Sequence, residues 1–66
     1  MVIDALIFMK ARLLSVAASK LAAMYNYGTI DFDIGYNQYH EAVNQMPFME
    51  VLFYYRNPSE IDVEND

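Results

Sequence analysis

A long, uninterrupted amphipathic stretch from Val2 to Tyr27 constrains this chain more than any other feature of its sequence. At about 100° per residue, its apolar side chains fall in one broad arc with polar side chains opposite, which is the spacing of a core-facing helix. No proline or glycine interrupts the stretch, and Gly28 follows it, where a left-handed residue can close the last turn. We therefore predict one long helix over Val2 to Tyr27.

A second face of this helix carries only small side chains, at Ala11, Ser15, Ala18 and Ala22. Another helix could approach closely there, so the helix can be covered on two sides. Phe8 projects away from the main apolar arc, which fits either a single exposed aromatic residue or part of a second contact surface.

The composition favours association of two chains. A chain of 66 residues buries only about 60% of its unfolded surface, and small scaffolds need an additional source of stability. Cysteine is absent, so disulfides are excluded, while 56% of the residues are apolar. Oligomerisation is the remaining source, and we predict a homodimer formed by the long helix. The predicted self-association residues are Ile7, Lys10, Leu14, Ala18, Leu21 and Tyr25.

Lys10 lies within the apolar arc and has two interpretations. The favoured one places its aliphatic stem along apolar surface and its ammonium group in water. The alternative is a buried pair with an acidic residue of this chain or of a second copy, because a buried charge must be paired.

The segment from Thr29 to Ile34 alternates apolar and polar residues, as a half-buried strand does. It also fits an extended connector whose three apolar side chains enter the core, followed by a helix capped by Asp33 or Asn37. Tyr36 to Met46 returns to helical spacing and is predicted to be a second, shorter helix.

Pro47 ends or kinks that helix, and Phe48 to Arg56 is the most hydrophobic segment of the chain. Periodicity cannot decide between helix and strand in so short an apolar run. We favour a helix, with Glu50 exposed and Phe48, Met49, Leu52, Phe53 and Tyr55 buried. The predicted fold is mostly α, a dimeric helical bundle; the alternative is a small α+β fold with strands near 29–34 and 48–55.

Residues 1–58 are predicted to form one small domain, and residues 59–66 a flexible acidic tail. The tail has two apolar residues, Ile61 and Val63. Its alternative role is a short linear motif that docks on a partner through those two residues.

No constellation in the sequence supports catalysis or a cofactor. A phosphate loop, a nucleophile elbow and a cysteine cluster are all absent, and His40 lacks a positioned partner for acid–base work. Asp31, Asp33, His40 and Glu41 suggest a metal site only weakly, because runs of acids are usually solvated. We predict a non-enzymatic protein that binds itself and one other protein.

The charge is divided along the chain. Residues 1–27 carry three basic side chains and one acid, a net of +2, whereas residues 28–66 carry one arginine and eight acids, a net of −7. Direct binding of nucleic acid is therefore disfavoured, since phosphate contacts need a basic face.

An alternative function is acidic mimicry of nucleic acid, in which the chain inhibits a host DNA-binding protein, as some small phage-encoded proteins do. A weaker alternative is a peripheral membrane helix carrying Lys10, Arg12 and Lys20. Without a leader peptide or a long uncharged apolar run, a cytoplasmic location is expected. The predicted partner-binding residues are Phe8, Asp31, Asp33, Glu41, Glu50, Glu60, Ile61, Asp62 and Val63.

Overall fold

The protein is built from three α-helices, as seen in a computed structural model that describes the backbone of residues 2–63 and the side chains of residues 4–63. Helix α1 spans Val2–Met24, α2 spans Ile30–Asn44 and α3 spans Phe48–Arg56, and a short 3₁₀ helix follows at Pro58–Glu60. No strand occurs among the described residues. The prediction of a mostly helical fold, with a long first helix and shorter ones after it, is confirmed.

A tight turn joins α1 to α2. Helix α1 ends at Met24, three residues earlier than predicted, although the Tyr25 amide still donates to the Leu21 carbonyl at 2.7 Å. The Thr29 amide donates to the Asn26 carbonyl at 3.2 Å, and Gly28 has a φ of 82°. A positive φ at this position is typical of a type II turn and favours glycine. The left-handed conformation predicted for Gly28 is thus confirmed, but it closes the turn rather than the helix.

Helix α2 begins at Ile30, six residues before the predicted start at Tyr36. The reason is local: Thr29 is the N-cap, and its hydroxyl oxygen accepts a hydrogen bond from the Phe32 amide at 3.1 Å. The first turn contains Asp31 and Asp33, and acidic side chains there are stabilised by the helix dipole. The expectation that Asp33 or Asn37 caps this helix is wrong.

The alternation of Ile30, Phe32 and Ile34 is a helical pattern in this context. Phe32 points inward and is 8% exposed, whereas Ile30 and Ile34 are 74% and 51% exposed. Residues four positions apart share one face of a helix, so the two isoleucines lie together on the outside. The expected insertion of all three side chains into the core is therefore wrong for Ile30 and Ile34.

Helix α3 presents a different face to the core from the one predicted. Glu50 is exposed, as predicted, but Val51 is the residue that is fully buried, with Leu52 and Tyr54 half-buried. Because α3 is apolar almost all round, its hydrophobic pattern does not define an inner face. The predicted burial of four residues is wrong; all are exposed: Phe48, Met49, Phe53 and Tyr55.

The core lies where α2 and α3 pack on one side of α1. Its largest fully buried side chains are those of Leu13, Leu21, Val43 and Val51. Helices α1 and α2 approach closely at Gly35, where a Cβ atom would lie 2.9 Å from a methyl carbon of Leu21. The close packing of α1 against α2 therefore depends on a glycine, which has no side chain, at position 35.

The C-terminal segment packs against the core as far as it is described. Ile61 is 3% exposed and belongs to the core cluster, and Val63 packs at its edge. The Lys20 ammonium group donates to the backbone carbonyls of Ile61 at 2.6 Å, Pro58 at 3.3 Å and Ser59 at 3.4 Å. This packing differs from the free tail expected over 59–66. Residues 64–66 lie outside the described part of the chain, and flexibility of the segment stays a prediction.

Candidate interaction surface

One side of α1 is not covered by the rest of the chain. We call this surface the open face of α1. At its centre Ala11 and Ser15 are exposed, while Leu14, Ala18 and Ala22 are half-buried. Larger apolar side chains lie near both ends, with Ile7 62% and Tyr25 36% exposed. The open face consists of Asp4, Ile7, Ala11, Leu14, Ser15, Ala18, Ala22 and Tyr25.

A second apolar surface lies at the turn between α1 and α2. Tyr27 and Ile30 are 68% and 74% exposed, and Ile34 is 51% exposed. Tyr25 and Ile34 line the same cavity, so this surface is continuous with the end of the open face. We call it the turn patch, and its members are Met24, Tyr25, Tyr27, Ile30 and Ile34.

A third group of exposed apolar side chains lies around α3. Phe8 is 63% exposed and contacts Tyr55, with the ring centroids 6.2 Å apart in an edge-on arrangement. Met49 and Phe53, one helical turn apart on α3, are 71% and 50% exposed. Phe8 is thus not an isolated exposed aromatic residue, because it extends the apolar surface from α1 to α3.

The structure divides the predicted self-association residues into two groups. Ile7, Leu14, Ala18 and Tyr25 lie together on the open face, whereas Leu21 is 1% exposed inside the core of a single chain. Leu21 is therefore not accessible to a second copy, because α2 already covers it.

Lys10 matches neither interpretation of its role fully. Its side chain is half-buried, and its ammonium group donates to the backbone carbonyl of Asn44 at 3.3 Å, near the end of α2. The last carbonyls of a helix lack partners within that helix and favour a nearby cation. Lys10 thus contacts a helix end of its own chain rather than an acidic side chain.

The predicted partner-binding residues do not form one site. Asp31 and Asp33 lie at the start of α2, Glu41 lies farther along it, and Glu50 lies on α3. Ile61 is buried in the core and Val63 is half-buried, so these two residues anchor their own segment. Every acidic side chain described is exposed, and these are Asp4, Asp31, Asp33, Glu41, Glu50, Glu60 and Asp62.

Two shallow cavities lie on either side of Val63, with volumes of about 180 and 150 Å³. Gly35, Gln38 and Val63 line both. Ligand pockets usually measure about 300–1,000 Å³, so each cavity is small for an organic substrate. Tyr39 lines the larger cavity, and partial burial raises its pKa to about 12, with smaller contributions from Tyr54 and Glu50. Its phenol is therefore a poor proton donor or acceptor near neutral pH.

His40 is exposed on α2, with its ring 6.2 Å from that of Tyr36. Across residues 2–63, no group of three or more acidic or histidine side chains is arranged to hold a metal ion. In the same part of the chain, no helix combines the length and apolar character needed to cross a membrane.

Comparisons with protein-family models, curated proteins and solved structures found no match to this chain. The function is therefore argued from the exposed surfaces and their charges.

Sequence reasoning missed the turn patch, apart from Tyr25. Ile30 and Ile34 were expected to be buried, because the helix start was placed after them. A threonine before two acids in a first turn is a signal for a helix N-terminus, and Thr29 with Asp31 and Asp33 carries it. That signal would have extended α2 back to Ile30 and exposed the two isoleucines.

Proposed function

We propose that this protein is a small, non-enzymatic interaction module that associates with a second copy of itself and binds another protein. The observation that carries the proposal is the amount of large apolar surface left outside the core. Among the side chains of residues 4–63, eleven large hydrophobic ones are between 36% and 74% exposed, and several adjoin one another. Contiguous exposed apolar surface of this kind is typical of protein–protein contacts. A cytoplasmic location is part of the proposal.

The surface area supports the same proposal. A folded monomer of this mass is expected to expose about 4,300 Å², whereas this chain exposes 4771 Å². Its extents of 37 × 18 × 18 Å show that it is elongated along one axis. A rod with apolar side chains along its length gains more from a partner than a sphere of the same mass does.

Light scattering coupled to size-exclusion chromatography at low micromolar concentration tests self-association. One chain has a mass of 7.7 kDa, so a dimer has twice that mass. A mass that stays at one chain across this concentration range contradicts the self-association.

The Ile30 and Ile34 portion of the turn patch is the surface we assign to the other protein, because these two exposed residues of α2 lie beside the open face rather than within it. Replacing Ile30 and Ile34 with glutamate puts two charges in the patch without altering a buried residue. In quantitative affinity capture, we expect the true partner to be retained by the wild-type chain and lost from this double variant. A matched variant with glutamine at Glu41 and Glu60, both exposed, should retain it.

A second candidate function is acidic mimicry of nucleic acid, and one observation favours it. All the described acids are exposed, whereas Lys10 and Lys20 donate to backbone carbonyls of their own chain. The negative surface therefore complements the charge of a basic nucleic-acid-binding site on another protein. Binding of this kind weakens between low and high salt because the attraction is screened. Affinity for a DNA-binding target that does not change with salt argues against mimicry.

The membrane alternative has less support. Lys10 and Lys20 contact α2 and the C-terminal segment, respectively, rather than forming a row beside the open face. A basic row along an apolar face is what an interfacial helix needs.

A further inference from the structure

The open face of α1 has a sequence symmetry that selects one mode of self-association. We propose that two copies pack α1 against α1 in antiparallel orientation, related by a two-fold axis that passes near Leu14 and Ser15. The inference rests on the self-association proposed above and specifies its geometry.

Large and small side chains of the open face match one another across an antiparallel pair. In an antiparallel pair centred between Leu14 and Ser15, Asp4 lies opposite Tyr25 of the second copy, Ile7 opposite Ala22, and Ala11 opposite Ala18. Each larger side chain near one end thus meets a small one or a hydroxyl group. A two-fold interface requires the same surface to fit itself in this way, because each contact occurs twice.

The central alanines of the open face allow the two helices to approach closely. Packed helices lie about 8–10 Å apart, depending on the side chains between them. Ala11 and Ala18 permit the short end of this range. Close approach then brings Ile7 of each copy towards Ala22 and Tyr25 of the other, which are both members of the open face.

The distribution of charge also favours contact through the open face. Between Asp4 and Tyr25 the open face carries no ionised side chain, since Lys10 and Lys20 extend to the carbonyls of Asn44 and Ile61 within their own chain. Helix α1 has a net charge of +2, and residues 28–66 have a net charge of −7. Contact through α1 places the two acidic portions on opposite outer sides of the dimer, where their repulsion is smallest.

A parallel pair is a poorer solution on the same residues. It would place Asp4 against Asp4 and Ile7 against Ile7, so like charges would meet at one end and the larger side chains would hold the helices apart. The antiparallel arrangement avoids both conflicts.

Disulfide cross-linking tests the geometry directly, because the chain contains no cysteine. The variants are Ala11→Cys, Ala18→Cys and, as a matched control elsewhere on α1, the exposed Ala23→Cys. A disulfide needs Cα atoms about 4.4–6.8 Å apart, which facing alanines satisfy at close helix packing. Each variant is given a tag of different size, and pairs are mixed under reducing conditions and then oxidised.

We expect mixed Ala11→Cys and Ala18→Cys chains to form a disulfide between unlike chains at least ten times more efficiently than any pair that includes Ala23→Cys. Ala11→Cys alone should give little cross-linked product. Preferential linkage of Ala11→Cys to itself would overturn the proposal in favour of a parallel pair. If the protein has the mass of a dimer but all pairs of variants give equally low yields of cross-linked product, a different face associates. A monomeric mass would instead refute the self-association on which the geometry rests.

A second pair of variants measures how much the open face of α1 contributes to the affinity of the two copies for each other. Ala11→Glu places a charge near the centre of the interface, and Ala23→Glu places the same charge on the same helix outside it. With helical content of both verified by circular dichroism, we expect Ala11→Glu to raise the dimer dissociation constant at least tenfold and Ala23→Glu to leave it within twofold. Equal effects of the two variants would contradict the proposed interface.

Discussion

Lys20 is the residue whose contacts link the longest helix to the end of the chain. Its ammonium group has three donors, and the structure gives it three acceptors in the backbone of residues 58–61. Pro58 and Ser59 lie in the 3₁₀ helix, and Ile61 follows it directly. A cation at such a carbonyl-rich end neutralises partial negative charge, including that of the Pro58 carbonyl, which also accepts a hydrogen bond from the Ile61 amide at 3.2 Å.

Replacing Lys20 with methionine keeps most of the apolar stem and removes these donors. Hydrogen bonds to charged groups contribute about 1.5–3 kcal/mol. Because the site is only partly buried, we expect the free energy of unfolding in urea to fall by about 1–2 kcal/mol. Lys10→Met is the matched control, since it removes one exposed bond of 3.3 Å, and it should cost less than about 1 kcal/mol. An equal loss of unfolding free energy in the two variants would show that the three contacts of Lys20 stabilise the fold no more than the single contact of Lys10.

At the scale of elements, the C-terminal segment is the part of the fold that differs most from expectation. Its composition of acids with two apolar residues is typical of a disordered end, yet Ile61 fills a position in the core beside Leu13 and Val51. The segment is held by the side chains of Ile61 and Val63 and by Lys20 rather than by any regular pattern. Such single contacts leave no periodic signal in a sequence.

Ile61→Ala tests whether this segment is an integral part of the fold. Loss of a buried isoleucine side chain to alanine typically costs about 2–5 kcal/mol. At a chain end, local undocking of the segment limits the loss of stability. We therefore expect the free energy of unfolding, measured in urea, to fall by about 2–3 kcal/mol. Met49→Ala, which truncates a side chain that is 71% exposed, should cost less than about 0.5 kcal/mol. Similar small effects of both variants would support the flexible tail expected from composition.

The three helices show which parts of this fold a sequence predicts. The long run in α1 has many turns over which its pattern repeats, so both its existence and its core-facing arc were predictable. Helix α2 was recognised but begun too late, because three alternating apolar residues imitate a strand over so short a length. The inner face of α3 could not be predicted from the sequence, because nearly every position in Phe48–Arg56 is apolar. Only packing against α1 determines that Val51 is the buried residue.

The candidate interaction surface, like the fold, could be predicted from the sequence only in part. The open face of α1 was foreseen in Ala11, Ser15, Ala18 and Ala22, whose small size repeats at helical spacing. Leu21, also predicted for the self-association surface, instead lies in the core of a single chain, because its position on the helix does not reveal which side α2 covers. That choice depends on Gly35, which lets α2 approach Leu21 closely, and a single glycine in a helix does not identify its neighbour.

On the scale of the whole molecule, the sign of the salt dependence separates the two kinds of association proposed for this chain. Each copy has a net charge of −5, so two copies repel one another at long range, and salt screens that repulsion. The proposed interface is apolar along most of its length, and burial of apolar surface does not weaken when salt is added. We therefore expect the dimer dissociation constant to fall severalfold between about 20 mM and 500 mM sodium chloride, where the screening length shortens from roughly 20 Å to about 4 Å.

The variant with glutamine at Glu41 and Glu60 has a net charge of −3 and should show a smaller salt effect, because its long-range repulsion is weaker. A dissociation constant that instead rises with salt would mean that opposite charges hold the copies together. It would assign the contact to the acidic portion of one chain and the basic α1 of the other, rather than to two copies of the open face.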